Sequence, residues 1–259
     1  MATMTVEGAG GVPLQVRTHG DGEPILLVHG TIGSSGDWAL VTPHLQTDHR
    51  VVSYDRRGRG GSGDGEAYEL RDEVVDLLRV LESVGEPAHV VAHSFGARLA
   101  LLASGQTSAM RSLVLYEPPL EAEELGMPFR ALLDQADRTG DHEAVTHAFL
   151  EQIEVTPEQE ALLRSMPPAW KALLDGARTV RREVEHLAAA GFDPAALDVR
   201  VPAHVLVGEH TAAPLFLSRL AELCSRLGTQ PRRIPGQGHL ANVFAPELFA
   251  QEVRRCLAA

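Results

Sequence analysis

The chain has 259 residues, of which 44% are hydrophobic, and carries a formal net charge of −12. A chain of this length can bury one large core, or a core with a cap, without disulfides or metals to hold it. Its acidity, together with the lack of a basic run, argues against nucleic acid or an anionic membrane surface as a partner.

No segment predicts export or membrane insertion. The N-terminus has no basic region followed by an apolar one, and no apolar run approaches about 18 residues. The two cysteines, Cys224 and Cys256, fall in segments predicted to be helical, and we expect reduced thiols there rather than a disulfide. We therefore expect a soluble cytoplasmic protein.

Strands and helices alternate along most of the chain. Residues 3–17 predict an opening hairpin, and continuous apolar runs bounded by turn residues predict strands that are buried on both faces. These strands are predicted at 25–29, 51–54, 88–92, 112–116, 203–207 and 232–234. Apolar residues at helical spacing predict helices at 68–84, 215–227 and 245–257. The alternation predicts an α/β fold with a mostly parallel, doubly wound sheet.

The middle of the chain breaks this alternation. Residues 120–198 predict several helices and no convincing strand. The clearest helix is predicted over 169–189, where Trp170, Leu173 and Leu187 share one stripe. The sequence therefore predicts a helical insert between two parts of the α/β core.

One short stretch carries the clearest chemical signal. Residues 88–102 predict a buried strand that passes at once into an Ala- and Leu-rich helix, with a small-x-Ser-x-Gly turn between them. So tight a turn forces Ser94 into a strained backbone conformation, and only small residues such as Ala92 and Gly96 avoid a collision beside it. The turn lifts the Ser94 hydroxyl above the sheet edge, at a helix N-terminus that favours a developing oxyanion.

This turn resembles the nucleophile elbow of the α/β-hydrolase superfamily, with Ala92 where the common form has glycine. Three further segments resemble motifs of that family, in the family's order: a strand followed by an oxyanion loop, an Asp-x-x-Gly-x-Gly-x-Ser signature, and a C-terminal Gly-x-x-His. They are Leu-Leu-Val-His-Gly-Thr at 26–31, Tyr-Asp-Arg-Arg-Gly-Arg-Gly-Gly-Ser at 54–62 and Pro-Gly-Gln-Gly-His at 235–239. The resemblance covers nearly the whole chain outside the middle helices and implies the α/β-hydrolase fold.

In that family, a helical insert after the sixth strand forms a cap over the active site. The resemblance therefore implies a core formed by residues 1–119 and 199–259, and a helical cap formed by residues 120–198. Such a cap excludes water and contributes to the wall around the substrate. The candidate wall residues are Trp38 near the oxyanion loop and Met127, Phe129, Phe149, Met166 and Trp170 of the cap. For each of them, packing among the helices is the alternative.

A serine nucleophile needs an adjacent base. Among the twelve histidines, His239 stands out because it follows the last predicted strand on a Gly-rich loop, and the resemblance assigns the same residue. We expect His93 to pack beside the nucleophile and His29 to hydrogen-bond locally. The resemblance also implies an oxyanion hole formed by the backbone N–H groups of Thr31 and Phe95.

The third member of the expected triad departs from the family pattern. The family usually has Asp in a Gly-x-x-Asp turn after the penultimate strand, but here the turn ends in Thr211, whose neutral hydroxyl cannot stabilise an imidazolium. We favour Glu117, which ends the strand after the elbow, because some members of the family carry their acid there. Glu209 is the second candidate, and helix capping is the alternative role for Glu117.

A serine at the elbow argues against epoxide hydrolase and haloalkane dehalogenase chemistry, which in this fold use Asp there. We expect a hydrolase that cleaves a small or medium apolar carboxylic ester or lactone through an acyl-enzyme. A C–C bond hydrolase, a thioesterase or a perhydrolase would use the same residues. Because the usual Asp is missing, a non-hydrolytic cyclase or receptor of the same fold also stays open. No cofactor or metal is expected, since the chain has no His-x-x-x-His, Cys-x-x-Cys or P-loop pattern.

Overall fold

The computed structural model describes residues 1–120 and 127–258, apart from the side chains of Met127, Asp137 and Ala190. Its core is an eight-stranded sheet with the order β1-β2-β4-β3-β5-β6-β7-β8. The strands are β1 (Ala2–Glu7), β2 (Pro13–His19), β3 (Glu23–Val28), β4 (His49–Tyr54), β5 (Ala88–His93), β6 (Met110–Tyr116), β7 (Ala203–Gly208) and β8 (Pro231–Ile234). Strand β2 pairs antiparallel with β1 and β4, and all the other neighbours are parallel. The predicted α/β architecture is therefore confirmed.

The helices fall into three groups along the chain. The first group lies between the early strands: α1 (Thr42–Leu45), α2 (Leu70–Val84) and α3 (Phe95–Ser104). The second group, which we call the cap helices, lies between β6 and β7: α4 (Met127–Thr139), α5 (His142–Gln152), α6 (Pro157–Arg164), α7 (Pro167–Ala177) and α8 (Val180–Ala190). The last group is α9 (Pro214–Leu217), α10 (Leu220–Leu227), α11 (Ala241–Phe244) and α12 (Pro246–Leu257). The helical insert is thus where the sequence predicts it.

Two predicted helices are in fact pairs of helices. The segment 169–189 divides between α7 and α8, where the Thr179 hydroxyl donates to the carbonyl of Gly176 at 2.6 Å. Gly176 packs directly on the backbone carbonyl of Ile32, where a Cβ would collide. The segment 215–227 likewise divides between α9 and α10. The apolar stripe continues across both breaks, so its period alone does not reveal them.

Both faces of the sheet are covered. On one face, α2, α3 and α10 pack against inward-facing residues of the strands, such as Val90 and Ala92 of β5. On the other face, α1 and α12 pack against Val91 and its neighbours. This double burial explains the continuous apolar runs of the strands, since alternate side chains all face a covered surface. The parallel direction of β3 to β8 places the carboxyl ends of these strands together at one edge of the sheet, where the site lies.

The cap helices form a third apolar cluster over that edge. It includes Phe149 and Val180 of the cap together with Ile32, Ala213 and Phe216 of the core loops. Beyond α8, the chain returns to the core, where Phe192 and Leu197 pack in the cluster beneath the sheet. The division of the chain after residues 119 and 198 stays a prediction.

Two observations concern the cysteines and the possibility of a membrane-spanning helix. Cys224 and Cys256 are both free and buried. Burial raises the pKa of both thiols, that of Cys256 to about 11, which keeps them unreactive. In the part of the chain that is described, no helix combines the length and the hydropathy that crossing a membrane requires.

Candidate active site

Ser94 lies at the point where β5 ends and α3 begins. Its backbone has φ 52° and ψ −125°, the strained conformation that the elbow pattern predicts. The Ser94 N–H donates to the carbonyl of Tyr116 at 2.8 Å, which holds the turn against β6. A Cβ added at Gly96 would lie 2.5 Å from the carbonyl oxygen of His29, so only glycine allows α3 to start this close to β3. The elbow is therefore fixed from both neighbouring strands.

Glu117 and His239 meet beside this turn. Oε2 of Glu117 lies 2.5 Å from Nδ1 of His239, and both side chains are buried. The other carboxylate oxygen, Oε1, accepts hydrogen bonds from the N–H of Gly208 and from the hydroxyl of Thr211, each at 2.6 Å. The carboxylate is thus held by the end of β7, by the loop after β7 and by His239 on the loop after β8. Such a carboxylate fixes the imidazole with its Nε2 available for a neighbour.

The His239 ring is also held by its faces. The Phe216 ring stacks on it with centroids 4.2 Å apart and an interplanar angle of 17°, and the His93 ring lies 4.4 Å away. The hydroxyl of Tyr116 donates to the carbonyl of Gly238 and accepts from the N–H of Ala241 at 3.2 Å. The loop that carries His239 is therefore tied to β6, the same strand that ends in Glu117.

His93 packs beside Ser94, as the sequence led us to expect. Its Nε2–H donates to the backbone carbonyl of His239 at 2.9 Å, and its Nδ1 is buried with no hydrogen-bond partner among the described residues. Burial, and then the neighbouring His239, hold the pKa of His93 well below its usual value. The ring is therefore neutral and serves the His239 loop as a hydrogen-bond donor.

The loop after β3 passes close to Ser94. A Cβ added at Gly30 would lie 2.8 Å from the Cβ of Ser94. The next residue is Thr31, and among the described residues neither its N–H nor that of Phe95 has an acceptor in the protein. Two unpaired N–H groups beside a raised hydroxyl are the arrangement that an oxyanion requires.

His29 shapes this loop through local hydrogen bonds. Its Nδ1 lies 2.9 Å from the carbonyl oxygen of Gly30, and its Nε2 accepts from the N–H of Arg56 at 3.0 Å. Burial and the nearby guanidinium groups of Arg56 and Arg59 lower the pKa of His29 to about 3. The ring therefore stays neutral, and the structure confirms the local role expected for it.

A cavity of about 360 Å³ opens above Ser94 and His239. Its core side is lined by Thr31, Ser34, Asp37 and His93 among other residues of the loops. Its cap side is apolar in every described residue: Phe149, Leu150, Ile153, Leu163, Met166, Pro168, Ala169, Ala172 and Leu173. The volume lies in the range of pockets that hold small organic ligands.

Comparison with known proteins identifies the family. A sequence model of a protein family, described as "Alpha/beta hydrolase family", matches residues 25–252. This chain belongs to the alpha/beta hydrolase family. The chain is therefore a hydrolase, and its similar structures include alpha/beta hydrolases.

Three relatives illustrate how far the similarity extends. "Putative carbamate hydrolase RutD" of Azorhizobium caulinodans is 28% identical over 218 residues, which are 82% of each chain. "Pimeloyl-[acyl-carrier protein] methyl ester esterase" of Methylococcus capsulatus is 33% identical over 185 residues, 65% of this chain and 71% of that one. An alpha/beta hydrolase from Sphaerobacter thermophilus superposes with a TM-score of 0.82 at 26% identity, over 98% of this chain and 100% of that one.

The second candidate acid of this hydrolase, Glu209, lies apart from the imidazole. Its Oε2 accepts from the N–H of Gly236 at 2.7 Å, and its side chain is exposed. The imidazole nitrogen contacts Glu117 instead. The two glutamates therefore differ in what they hold: Glu209 holds the start of the His239 loop, and Glu117 holds the ring.

A buried charge cluster joins the loop after β3 to the cap helices. Arg56 makes two hydrogen bonds to Glu73, at 2.6 and 2.8 Å, donates to the carbonyl of Gly30 at 3.0 Å, and lies 2.5 Å from Glu183 of α8. Arg59 also donates to Glu183. Glu183 is fully buried, so its charge depends on these two guanidinium groups. The Arg56 guanidinium also lies 4.6 Å above the ring of Phe95.

Five of the six candidate wall residues have side chains that the structure describes, and these five divide between two environments. Phe149 and Met166 line the cavity. Three others are placed elsewhere, which corrects the sequence-based expectation. Trp38 is fully buried against Phe249 at a ring distance of 5.9 Å, and Phe129 packs on Phe149 inside the cap at 6.4 Å.

Trp170, the third of these, is not among the residues that line the cavity. Its ring packs against Arg164, whose guanidinium carbon lies 4.0 Å from the ring centroid. On a helical insert the apolar stripe covers both the inner packing surface and the cavity wall, so the period alone does not separate them. Met127 is the first residue of α4, and its side chain lies outside the described part of the molecule.

Several residues at the site have no signal in the sequence pattern. Thr211 bonds Glu117 from the position where the family's usual Asp would stand. Phe216 stacks on His239, and Asp37 borders the cavity. One physical signal does mark the region: Ile32 and Glu117, like Ser94, have positive φ without being glycine. Such strain persists where surrounding contacts over-determine the backbone, as at active sites.

Proposed function

We propose that this hydrolase cleaves small or medium apolar carboxylic esters or lactones through an acyl-enzyme on Ser94. The observation that carries this proposal is the 2.5 Å contact between Glu117 and His239, made beside a cavity that Ser94 and His239 both line. In this assignment His239 is the base, Glu117 is the acid that orients it, and the N–H groups of Thr31 and Phe95 form the oxyanion hole.

The reaction proceeds in two acyl transfers. His239 Nε2 takes the hydroxyl proton as Ser94 Oγ attacks the ester carbonyl, and the carbonyl oxygen becomes an oxyanion at the two N–H groups. The imidazolium then gives its proton to the leaving alkoxide, which departs as the alcohol. Water then attacks the acyl-enzyme with His239 again as base, the bond between the carbonyl carbon and Ser94 Oγ breaks, His239 returns the proton to Oγ, and the carboxylic acid is released. Glu117 stabilises the imidazolium in both halves without itself being protonated.

The neighbourhood of Glu117 supports its assignment as the acid. Its carboxylate is buried and receives hydrogen bonds from Gly208 and Thr211, so it needs no rearrangement to face the imidazolium that forms. Preorganised groups of this kind stabilise developing charge most effectively where water is excluded. The apolar cap wall provides that exclusion and favours substrates with hydrocarbon chains.

Carbamates are a second candidate substrate class. The observation that favours them is the similarity to RutD, whose name assigns it carbamate hydrolysis, whereas the esterase relative points to carboxylic esters. Both classes present a carbonyl carbon to the same hydroxyl, so the proposed site residues keep their roles. An assay of matched ethyl carbamate and ethyl acetate distinguishes the two classes by their kcat/KM values.

The test of the proposed function is the loss of ester hydrolysis in Ser94→Ala. With p-nitrophenyl butyrate we expect a fall in kcat of at least about 10³-fold, because the nucleophile is absent. A fluorophosphonate probe should label the wild type and fail to label the variant. Ser225→Ala, which removes an exposed hydroxyl on α10, is the matched control and should keep wild-type turnover.

Two results would contradict the proposal. If Ser94→Ala keeps its turnover, Ser94 is not the nucleophile. If the folded wild type turns over no member of an ester and lactone panel, ester hydrolysis is not its activity. A melting temperature of Ser94→Ala within a few degrees of wild type establishes that the variant folds, so a loss of activity then reports on chemistry.

A further inference from the structure

Asp37 is the one carboxyl group among the described residues that line the cavity. It lies in the short 3-10 turn Ser35–Trp38, which follows the oxyanion loop. Its Oδ2 covers Gly33 so closely that a Cβ there would collide with it. The carboxyl therefore lies on the loop that carries Thr31, on the polar side of the cavity.

This carboxyl has little that satisfies it within the protein. The N–H of Ser34 donates to Oδ1 at 3.4 Å, a long hydrogen bond that forms part of a capping box. Within the described chain, Oδ2 receives no hydrogen bond, and no Lys, Arg or His nitrogen lies within ion-pair distance of either oxygen. The neighbouring Asp55 differs: it accepts from Ser35, Gly61 and Arg17, each at 2.9 Å.

The charged groups around Asp37 do not compensate for this. Burial is the largest cause that raises the pKa of Asp37, to about 7, and the charge of Asp55 raises it further. Ser34 and the more distant Arg59 act in the opposite direction without cancelling the effect. The imidazoles that share the cavity are His93, which is neutral, and His239, which faces Glu117. A cationic group on a ligand would give this carboxyl the charge partner that the surrounding side chains do not provide.

We propose that Asp37 selects substrates by charge: it binds a protonated nitrogen on an otherwise apolar ester and disfavours esters that carry a carboxylate. This inference rests on the ester hydrolysis proposed above and adds the substrate class. The apolar cap wall accommodates the hydrocarbon part of such a substrate, and the ester carbonyl lies at Ser94. In a site with little water, the Asp37 charge attracts a cationic substrate and repels an anionic one more strongly than it would in water. Both effects raise the ratio of kcat/KM for the cationic substrate to kcat/KM for the anionic one.

The experiment uses three butyrate esters that differ only at the end of the alcohol. They are the 2-(dimethylammonio)ethyl, 3-methylbutyl and 2-carboxyethyl esters, which are cationic, neutral and anionic and have nearly the same shape. A second series places the same three end groups on the acyl chain of methyl esters, because either end of the substrate can face Asp37. The measured quantity is the ratio of kcat/KM for the cationic ester to that for the anionic ester, at pH 7.5.

We expect the wild type to prefer the cationic over the anionic ester by about 10- to 100-fold in at least one series. In Asp37→Asn the ratio should fall to within about three-fold of one, since the amide keeps the shape and the bond from Ser34 but not the charge. Asp21→Asn changes the net charge by the same amount at an exposed loop position and should keep the wild-type ratio.

The possible failures are distinguishable. A ratio near one in both series for the wild type, a preference for the anionic ester, or an unchanged ratio in Asp37→Asn overturns the role of Asp37. In each of these cases hydrolysis of the neutral ester still supports the proposed function. If the wild type hydrolyses none of the esters and the fluorophosphonate probe does not label it, the proposed function itself fails. A role of Asp37 in capping alone would change stability but not the charge ratio.

Discussion

The two walls of the cavity are built from different chemistry. Among the residues that the structure describes, all the polar side chains that line it belong to the carboxyl ends of the strands or to the loops that follow them. Every described lining residue from the cap helices is apolar. The core wall is positioned by hydrogen bonds at the strand ends: Glu117, which contacts His239 of this wall, accepts from the N–H of Gly208. The cap wall is held by apolar packing.

This difference indicates that the core wall serves the reaction and the cap wall serves the choice of substrate. Acyl transfer needs atoms that are held within a fraction of an ångström, and the rigid ends of parallel strands provide this. Recognition of a hydrocarbon chain needs only contact area, which helices supply with looser geometry. Asp37 is the exception, since it lies on the core wall and yet is proposed to act on substrate choice. Changes in the core wall should therefore affect all substrates alike, and changes in the cap wall should depend on the substrate.

The largest effect is expected from Glu117→Gln. The amide cannot stabilise the imidazolium of His239, so kcat should fall by about 10³- to 10⁴-fold for every ester, whatever its chain length. Initial rates on p-nitrophenyl acetate, butyrate and octanoate measure this. Glu209→Gln is the matched control and should stay within about two-fold of wild type, because Glu209 contacts Gly236 and not the ring. The reverse order of losses would make Glu209 the acid.

The next effect concerns the contact between the two walls. Glu183→Gln removes the charge that Arg56 and Arg59 share at the buried junction of cap and core, and the free energy of unfolding should fall by about 3 kcal/mol. Urea unfolding at neutral pH measures this. Glu185→Gln on the same helix removes an exposed pair with Arg181 and should cost less than about 1 kcal/mol. Equal losses in the two variants would show that the buried cluster does not hold the cap.

A smaller effect that depends on the substrate is expected at the cap wall. Leu173 lines the cavity, whereas its neighbour Leu174 is not among the lining residues, and both are half-buried on α7. Leu173→Ala should lower kcat/KM for the octanoate ester by about 10-fold and for the acetate ester by much less, since only a long chain loses contact. Leu174→Ala should show no such dependence on chain length. A uniform loss over the ester series would place the chain against another wall.

The smallest effect is a change in stability with pH at Asp37. Its pKa of about 7 in the folded protein exceeds the usual value of 3.8, so the folded state holds a proton that the unfolded state releases between about pH 4 and 7. Stability from this group is therefore lost as the pH rises through that window. The free energy of unfolding of Asp37→Asn, measured relative to wild type, should rise by roughly 1–2 kcal/mol from pH 4.5 to pH 8, a value reduced because Asp37 is only half-buried. Urea unfolding at the two pH values measures it, and a gain that is the same at both would contradict the raised pKa.

What the sequence determined by itself is local or follows from strand order. The strained turn at Ser94 is specified by small neighbours over five residues, and the alternation of apolar runs and helices predicts the parallel sheet. Because parallel strands end at one edge, the positions of Glu117 and His239 after two such strands also predicted that they would lie near Ser94. That Glu117 rather than Glu209 contacts the ring was only favoured, since both follow strands at the same edge.

Tertiary structure alone decided what depends on the direction of a side chain after docking. The helical period predicted an apolar stripe on the cap, but Phe149 borders the cavity while Phe129 and Trp170 do not, because the docking angle of each helix decides which part of the stripe faces inward. The contact of Thr211 with Glu117 joins residues 94 positions apart. The raised pKa of Asp37 arises only in the folded protein, since the burial of a carboxyl group is a property of its assembled surroundings and not of the chain.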